Sequence, residues 1–274
     1  MKIDLAAQAR AAGVRRKTIE MREIVPTKAQ ETDLARLYIA IMRVWAVGVR
    51  NRILPAYRRS LEQQRANDAL TQDRAGDVEV EIGAVEGEAV RSIFTFRGLF
   101  QAWADAFQRW HMRKIVDMLR YSTNIDLTTQ LHAGDVAETI EDVLARNVAL
   151  VRNVSDQARG RIADAVFRGL QNRTPARDIA KEINEALGLG RDRSLRIASD
   201  QLQKLSAALD QERQEQLGAT SFIWVHSGKR HPRIEHLERN GKEFDWKSEV
   251  GRNDPPGRAI NCGCKARMVL KLGE

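Results

Sequence analysis

The run Ser92-Ile-Phe-Thr-Phe96-Arg-Gly-Leu-Phe100-Gln-Ala-Trp103-Ala-Asp-Ala-Phe107-Gln-Arg-Trp110 sets the fold class. Phe96, Phe100, Trp103, Phe107 and Trp110 lie four and three residues apart, which puts their rings on one face of a helix. Rings at helical spacing are ordinarily core, so this face is expected to pack on the first long helix; docking on another subunit is the alternative. That first helix opens with Thr27 and Gln30 at capping-box spacing, followed by Leu34, Leu37, Tyr38, Ile41, Val44 and Trp45. Its other side carries Arg36, Arg43 and Arg50, seven apart, with Arg52, Arg58 and Arg59 beyond and Pro55 as a possible kink. A solvated face is the plain reading of this stripe, and contact with phosphate or a partner is the functional one.

Outward from these helices the composition changes. Residues 1–25 are Ala-rich and basic, closed by Pro26, and are expected to be helical only when docked. Residues 68–88 hold Asp68, Asp73, Asp77, Glu79, Glu81, Glu86 and Glu88 against Arg74, with no aromatic, and read as an acidic linker or exposed loop. Downstream, Ser155-Asp156 predicts a helix start, Thr174-Pro175 a second closed by Gly188 and Gly190, and Asp192 a third stopped by Gly218. After Gly218, Phe222-Ile-Trp-Val225, Phe244 with Trp246, and Arg267-Met-Val-Leu270 read as strands around an Asn240-Gly241 turn. The expected fold is mainly α: an elongated helical N-terminal part and a helical bundle, followed by a small α+β C-terminal module. The expected boundaries are 1–66 for the arm and long helix, 67–89 for the acidic linker, 90–218 for the helical domain and 219–274 for the module.

The 274 residues are 43% hydrophobic, enough for a real core, and carry a formal charge of +8 with a pI near 9.8. Such a balance favours polyanions, nucleic acid before an acidic protein surface, because each Lys or Arg set on a phosphate releases a counterion. Gln8, Arg10 and Arg15-Arg16 interrupt any apolar stretch at the N-terminus and no run approaches a membrane span, so a soluble protein with no membrane partner is expected. Cys262 and Cys264, the only cysteines, are too close for an ordinary disulfide between elements, which points to a reducing compartment.

Both cysteines and three of the five histidines fall in the last fifty residues. Zinc takes thiolate and imidazole ligands in a tetrahedron, and His226, His236, Cys262 and Cys264 would supply a Cys2His2 set, with His231 as the alternative to His226. A small module with few apolar residues gains most from such a structural staple. The plainer alternative is that buried thiols and hydrogen-bonded histidines simply pack.

The pieces Ile197-Ala-Ser-Asp200-Gln201, Trp224-Val-His-Ser-Gly, Pro232-Arg233-x-x-His236, Asn240-Gly-Lys242-x-Phe244 and Pro256-Gly257 with Asn261-Cys262-x-Cys264 resemble, in order and spacing, the phage Mu F-like minor head protein family, also called the phage head morphogenesis family. The resemblance covers about residues 140–270. The sequence departs from the family pattern at Gly263, where Arg is common between the cysteines, and at Ser199, where Arg is usual. The resemblance implies a minor structural protein of a tailed-phage head rather than an enzyme, without catalytic residues. It would sit inside the virion near the portal vertex, and in the host cytoplasm during assembly. Its implied partners are the portal and major capsid proteins, its implied work head assembly, DNA packaging or DNA delivery, and no toxin domain is expected after Glu274. Basic faces including Arg36, Arg43, Arg50 and Arg233 would then meet double-stranded DNA non-specifically. The rival function is a metal-dependent nuclease of the His-Asn-His type, with His231, His236 and Asn261 cast in its roles. No phosphate-binding Gly-x-x-x-x-Gly-Lys-Ser/Thr loop or Gly-x-Ser-x-Gly elbow is present.

Overall fold

A computed structural model describes residues 3–67 and 75–272. It is mainly helical, with one small antiparallel sheet. In chain order the elements are α1 (Leu5–Ala11), β1 (Thr18–Glu20), α2 (Lys28–Gly48), a π-helical turn (Val49–Ile53), α3 (Leu54–Asn67), α4 (Ala75–Thr123), a 3-10 turn (Ala133–Val136), α5 (Ala137–Gln171), α6 (Ala176–Gln216), β2 (Ser221–Val225), α7 (Ile234–Glu238), β3 (Glu243–Asp245), α8 (Glu249–Asn253) and β4 (Lys265–Lys271). They divide into two compact units, one of Thr32–Phe100 and Leu144–Ala198, the other of the residues up to Glu31, Gln101–Val143 and those from Ser199 on.

The unit of Thr32–Phe100 and Leu144–Ala198 is all helix. Its core holds Trp45, Ile53, Tyr57, Val78, Ile82, Val85, Ile162, Val166 and Ile183, each almost fully covered. Large polar-tipped rings in this core find partners: Trp45 Nε1 donates to Ser155 Oγ at 2.9 Å, Tyr57 to the Thr174 carbonyl at 2.6 Å, and Tyr38 to Asn147 Oδ1. Tyr38 meets Phe96 edge-on at 5.2 Å, so the aromatic face packs on the first long helix at its N-terminal end, whereas Trp110 packs against the core of the other unit. Pro55 causes no break in the helical run from α2 to α3; it stands directly after the π turn, whose wider i→i+5 pattern accommodates the missing N–H and the ring.

The other unit contains the sheet, ordered β1-β4-β2-β3. The capping box at the start of α2 forms with both arms, Gln30 N to Thr27 Oγ1 at 3.3 Å and Thr27 N to Gln30 Oε1 at 2.8 Å. β2 pairs with β4 from Ser221↔Val269 to Val225↔Lys265, and with β3 around Phe222↔Phe244. The strand readings at 222–225, 244 and 267–270 therefore hold.

Several expectations are corrected. Residues 1–25 are not helix alone, since β1 adds an edge strand to β4 (Ile19↔Leu270) and Leu5, Ala9 and Ile19 are buried. The acidic stretch is not a loop from residue 75 on: α4 begins at Ala75, and Val78, Ile82, Val85 and Ala89 turn one apolar face inward, while Asp77 and Glu79 stay exposed and the half-buried Glu81, Glu86 and Glu88 pair with Arg52 and Arg159. Residues 68–74 lie outside the described residues. Ser155 starts no helix, because its hydroxyl accepts from Trp45 inside α5. Gly188 and Gly190 close none either; α6 runs through both, and Gly190 lets Met42 approach, a Cβ there lying 2.5 Å from Met42 Cε. Gly218 does stop α6, with φ +75. The two units each draw on separated segments of the chain.

Candidate functional site

The soft ligands meet in the sheet-bearing unit. α7 is a single short helix after Pro232, and it carries His236 inward while its other positions face solvent. Cys262 and Cys264 occupy the loop that leads into β4, entered through Asn261 in the left-handed region at φ 58. Asp200 on α6 fixes this loop by accepting the Asn261 N–H at 2.6 Å, and Lys204 holds the same carboxylate at 2.7 Å. The Lys229 ammonium ties the loop from the other side through the Asn261 carbonyl at 2.6 Å.

In this setting His236 Nδ1 lies 3.5 Å from Cys262 Sγ and 3.8 Å from Cys264 Sγ. The three residues are 3%, 4% and 2% exposed, so they are interior groups. The opposite ring nitrogen, Nε2, faces Asp254 Oδ2 at 3.1 Å, and Arg239 holds that oxygen at 2.6 Å. Arg239 also lies over the Trp224 ring at 5.0 Å, and Trp224 meets His236 edge-on at 4.9 Å. The carboxylate thus favours the proton on Nε2 and leaves the Nδ1 lone pair toward the sulfurs.

The two thiols are unlike. The hydrogen bond from the Cys264 thiol is the main cause that holds Cys262 down to about 5, with the main-chain N–H groups of Cys264 and Gly257 and the nearby His236 in support against burial. Donating that bond and being buried push Cys264 above the ordinary thiol range. Burial lowers the Lys265 ammonium, which bonds Ser206 Oγ at 3.1 Å.

Not every residue expected at a site is brought here. His226 is tied up locally, its Nδ1 accepting the Gly228 N–H at 3.1 Å, and neither it nor the exposed His231 joins the His236, Cys262 and Cys264 cluster. Because its three central residues are buried, this cluster does not itself form a docking surface. Arg233 donates to the Ile260 carbonyl at 3.1 Å and so links α7 to the cysteine loop. Asp254, Asp200 and Arg239 were missed as site residues. For Asp254, a lone carboxylate before Pro255 carries no signal of its histidine partner; for Asp200, the signal lay within a quoted motif.

In the all-helical unit Arg36, Arg43 and Arg50 are exposed, and Arg36 is paired with Asp33 at 2.8 Å. A separate cavity of about 150 Å³ between α5 and α6 is lined by Arg161, Arg193 and Arg196 with Gln157, Ala158 and Gly190. Arg193 is oriented by amide oxygens, Gln157 Oε1 at 2.6 Å and Asn153 Oδ1 at 3.0 Å, which leave its charge unneutralised. Among the described residues Arg161 and Arg196 have no ion-pair partner.

Residues 160–267 match the family described as Phage Mu protein F like protein. An uncharacterized protein of Haemophilus influenzae is 29% identical over 157 residues, covering 57% of this chain and 35% of that protein. The match therefore spans about a third of that relative's length. No solved structure matches. The matched segment contains all of α6, the strands β2 and β3, and all three residues of the thiol–imidazole cluster. No helix of the described residues is long and apolar enough to cross a membrane.

Proposed function

We propose that this chain, whose residues 160–267 are phage Mu F-like, is a minor structural protein of a tailed-phage head that acts at the portal vertex in head assembly, DNA packaging or DNA delivery. The family match carries the reading. It is supported by exposed Ile234 and Leu237 on α7 and Ile260 on the adjoining loop, apolar side chains in reach of a capsid or portal surface. The buried cluster favours structure over the rival nuclease, because His236 has Asp254 on one nitrogen and thiols on the other and faces no solvent-borne phosphate. The Asn261 main chain is likewise committed to holding its loop.

For the DNA contact we propose the arginine cavity of α5 and α6, with the exposed Arg43 and Arg50 as further sites. Arg36 contributes less, being paired with Asp33. Unneutralised guanidinium groups side by side suit the spaced oxyanions of a phosphate backbone and carry no base readout. Sedimentation of assembling heads tests the assignment: the chain is expected to travel with portal-containing procapsids, and its absence from them would overturn the portal assignment. For DNA, anisotropy of a labelled random duplex across a salt series is expected to give a steep log–log slope. Replacing Arg161, Arg193 and Arg196 together by Ala should reduce that slope by roughly 2 to 3, at about 0.9 per lost phosphate contact. An unchanged slope would remove the cavity from the DNA contact.

A further inference from the structure

The cluster of His236, Cys262 and Cys264 has a geometry that hydrogen bonding alone does not explain. A neutral imidazole offers one lone pair at Nδ1, and Asp254 on Nε2 commits it to that role. One thiol can donate to this lone pair, yet two sulfurs stand nearly equidistant from it, at 3.5 and 3.8 Å. All three ligand atoms lie within 4.8 Å of one another. Zinc bonds of about 2.3 Å to sulfur and 2.0–2.1 Å to nitrogen, set at a tetrahedral angle, place sulfur and nitrogen about 3.5 Å apart. The side chains already stand close to the edges of such a tetrahedron.

The surroundings repeat what a metal site needs. Asp254 orients the ligating imidazole through its remote nitrogen, the carboxylate–histidine–metal arrangement, and Arg239 fixes Asp254 in turn. Trp224 Nε1 is buried without a hydrogen-bond partner, and its ring meets the His236 imidazole edge-on at 4.9 Å, walling the cluster off from solvent. The cysteines are not joined to each other, so both sulfurs are available.

We infer that His236 Nδ1, Cys262 Sγ and Cys264 Sγ bind one zinc-class ion, oriented by Asp254, with three protein ligands and water in the fourth position. Soft thiolates with an imidazole select zinc over the oxygen-preferring magnesium, calcium or manganese. The ion ties α7 to the loop entering β4, two segments otherwise linked by few bonds, and so fastens this corner of the sheet. The inference rests on the side-chain geometry and is independent of a role in phage heads.

The test uses the full chain, purified under reducing conditions and without a metal-affinity tag. Elemental analysis is expected to find one zinc per chain, and cobalt substitution is expected to produce thiolate-to-metal charge-transfer absorption. Cys262→Ser and Cys264→Ser should each abolish stoichiometric binding. Because those variants risk misfolding, Asp254→Asn gives a second reading: the folded protein should keep its metal with about 10–100-fold weaker affinity. His226→Ala and His231→Ala should both retain one equivalent; loss in either would supply a fourth protein ligand and overturn the three-ligand set. Wild-type protein without zinc, no cobalt charge-transfer band and no rise in Tm on adding zinc would overturn the site altogether.

Discussion

Arg213 is 1% exposed, and its charge is met on three sides within one unit: Asp135 Oδ2 at 3.2 Å, Gln216 Oε1 at 2.8 Å and the His132 carbonyl at 2.9 Å. Burial lowers the guanidinium pKa and the Asp135 charge opposes that shift. For Asp135, burial acts to raise the pKa, but the His132 N–H and the Arg213 charge outweigh it and the carboxyl titrates below its ordinary range. A carboxyl depressed in the folded state adds stability that is complete above its unfolded pKa of about 4 and fades as the pH falls below that value. Asp135→Asn should therefore lower Tm at neutral pH and flatten the acid limb of the Tm–pH curve. An acid limb identical to wild type would show that Asp135 has no such part. Arg213→Ala should cost about 3 kcal/mol in urea unfolding, since it strands the groups arranged around a buried charge. Neither partner announced the pair in sequence, because Asp135 and Arg213 lie far apart and charged residues ordinarily read as surface. The cysteines and His236 were legible through their chemistry, whereas Asp254 was not, since a lone carboxylate before two prolines carries no signal of its histidine partner.

The long helices explain where local reading succeeded and where it failed. α4 was legible from Phe96 onward because the rings are both periodic and apolar. Its acidic first turns carry the same period in Val78, Ile82, Val85 and Ala89, spaced four, three and four, but composition averaged over all faces concealed the one that is buried. Glycines misled in the opposite direction. Gly188 and Gly190 looked like a helix end, yet α6 absorbs both, Gly190 facing Met42 and Gly188 facing open space. That contrast is testable. Gly188→Ala meets nothing within 4 Å and removes a flexible residue from a helix interior, so it should stabilise by about 0.5–1 kcal/mol. Gly48→Ala should do the reverse, as its Cβ would fall 2.4 Å from Val85 Cγ2 and 3.0 Å from Val85 Cβ, a branched side chain with little room to yield. Overpacking of that kind costs about 1–3 kcal/mol. Urea midpoints moving in the same direction for both variants would break the argument from packing at α2 and α4.

At the scale of the whole molecule, what sequence could not supply is the assembly of each unit from separated segments. Residues 219–274 looked like a module with too few apolar side chains, and the deficit is real: its sheet is completed by β1, and the core beneath takes Leu5, Ala9, Ile19, Ile115, Leu119 and Leu217 from elsewhere. Those contacts have high sequence separation, which no local pattern encodes. The first 26 residues are thus part of the sheet's stability. Removing them would leave the β4 edge unpaired and uncover the apolar side chains beneath α1, both of which promote association between chains. The Leu272 amide reports the loss directly, because it donates to the Lys17 carbonyl at 2.9 Å. In the truncated chain, hydrogen exchange at Leu272 and along β4 should accelerate. The all-helical core around Trp45, Tyr57 and Ile162 should keep its protection, since its packed residues lie outside the deleted segment. In the full chain, Ile19→Ala should reproduce the same local pattern at a cost of about 2–5 kcal/mol, as expected when a buried isoleucine is cut back. Unchanged exchange at Leu272 in both variants would mean that β4 is held from its β2 side alone, and that the N-terminal residues rest on the sheet without sustaining it.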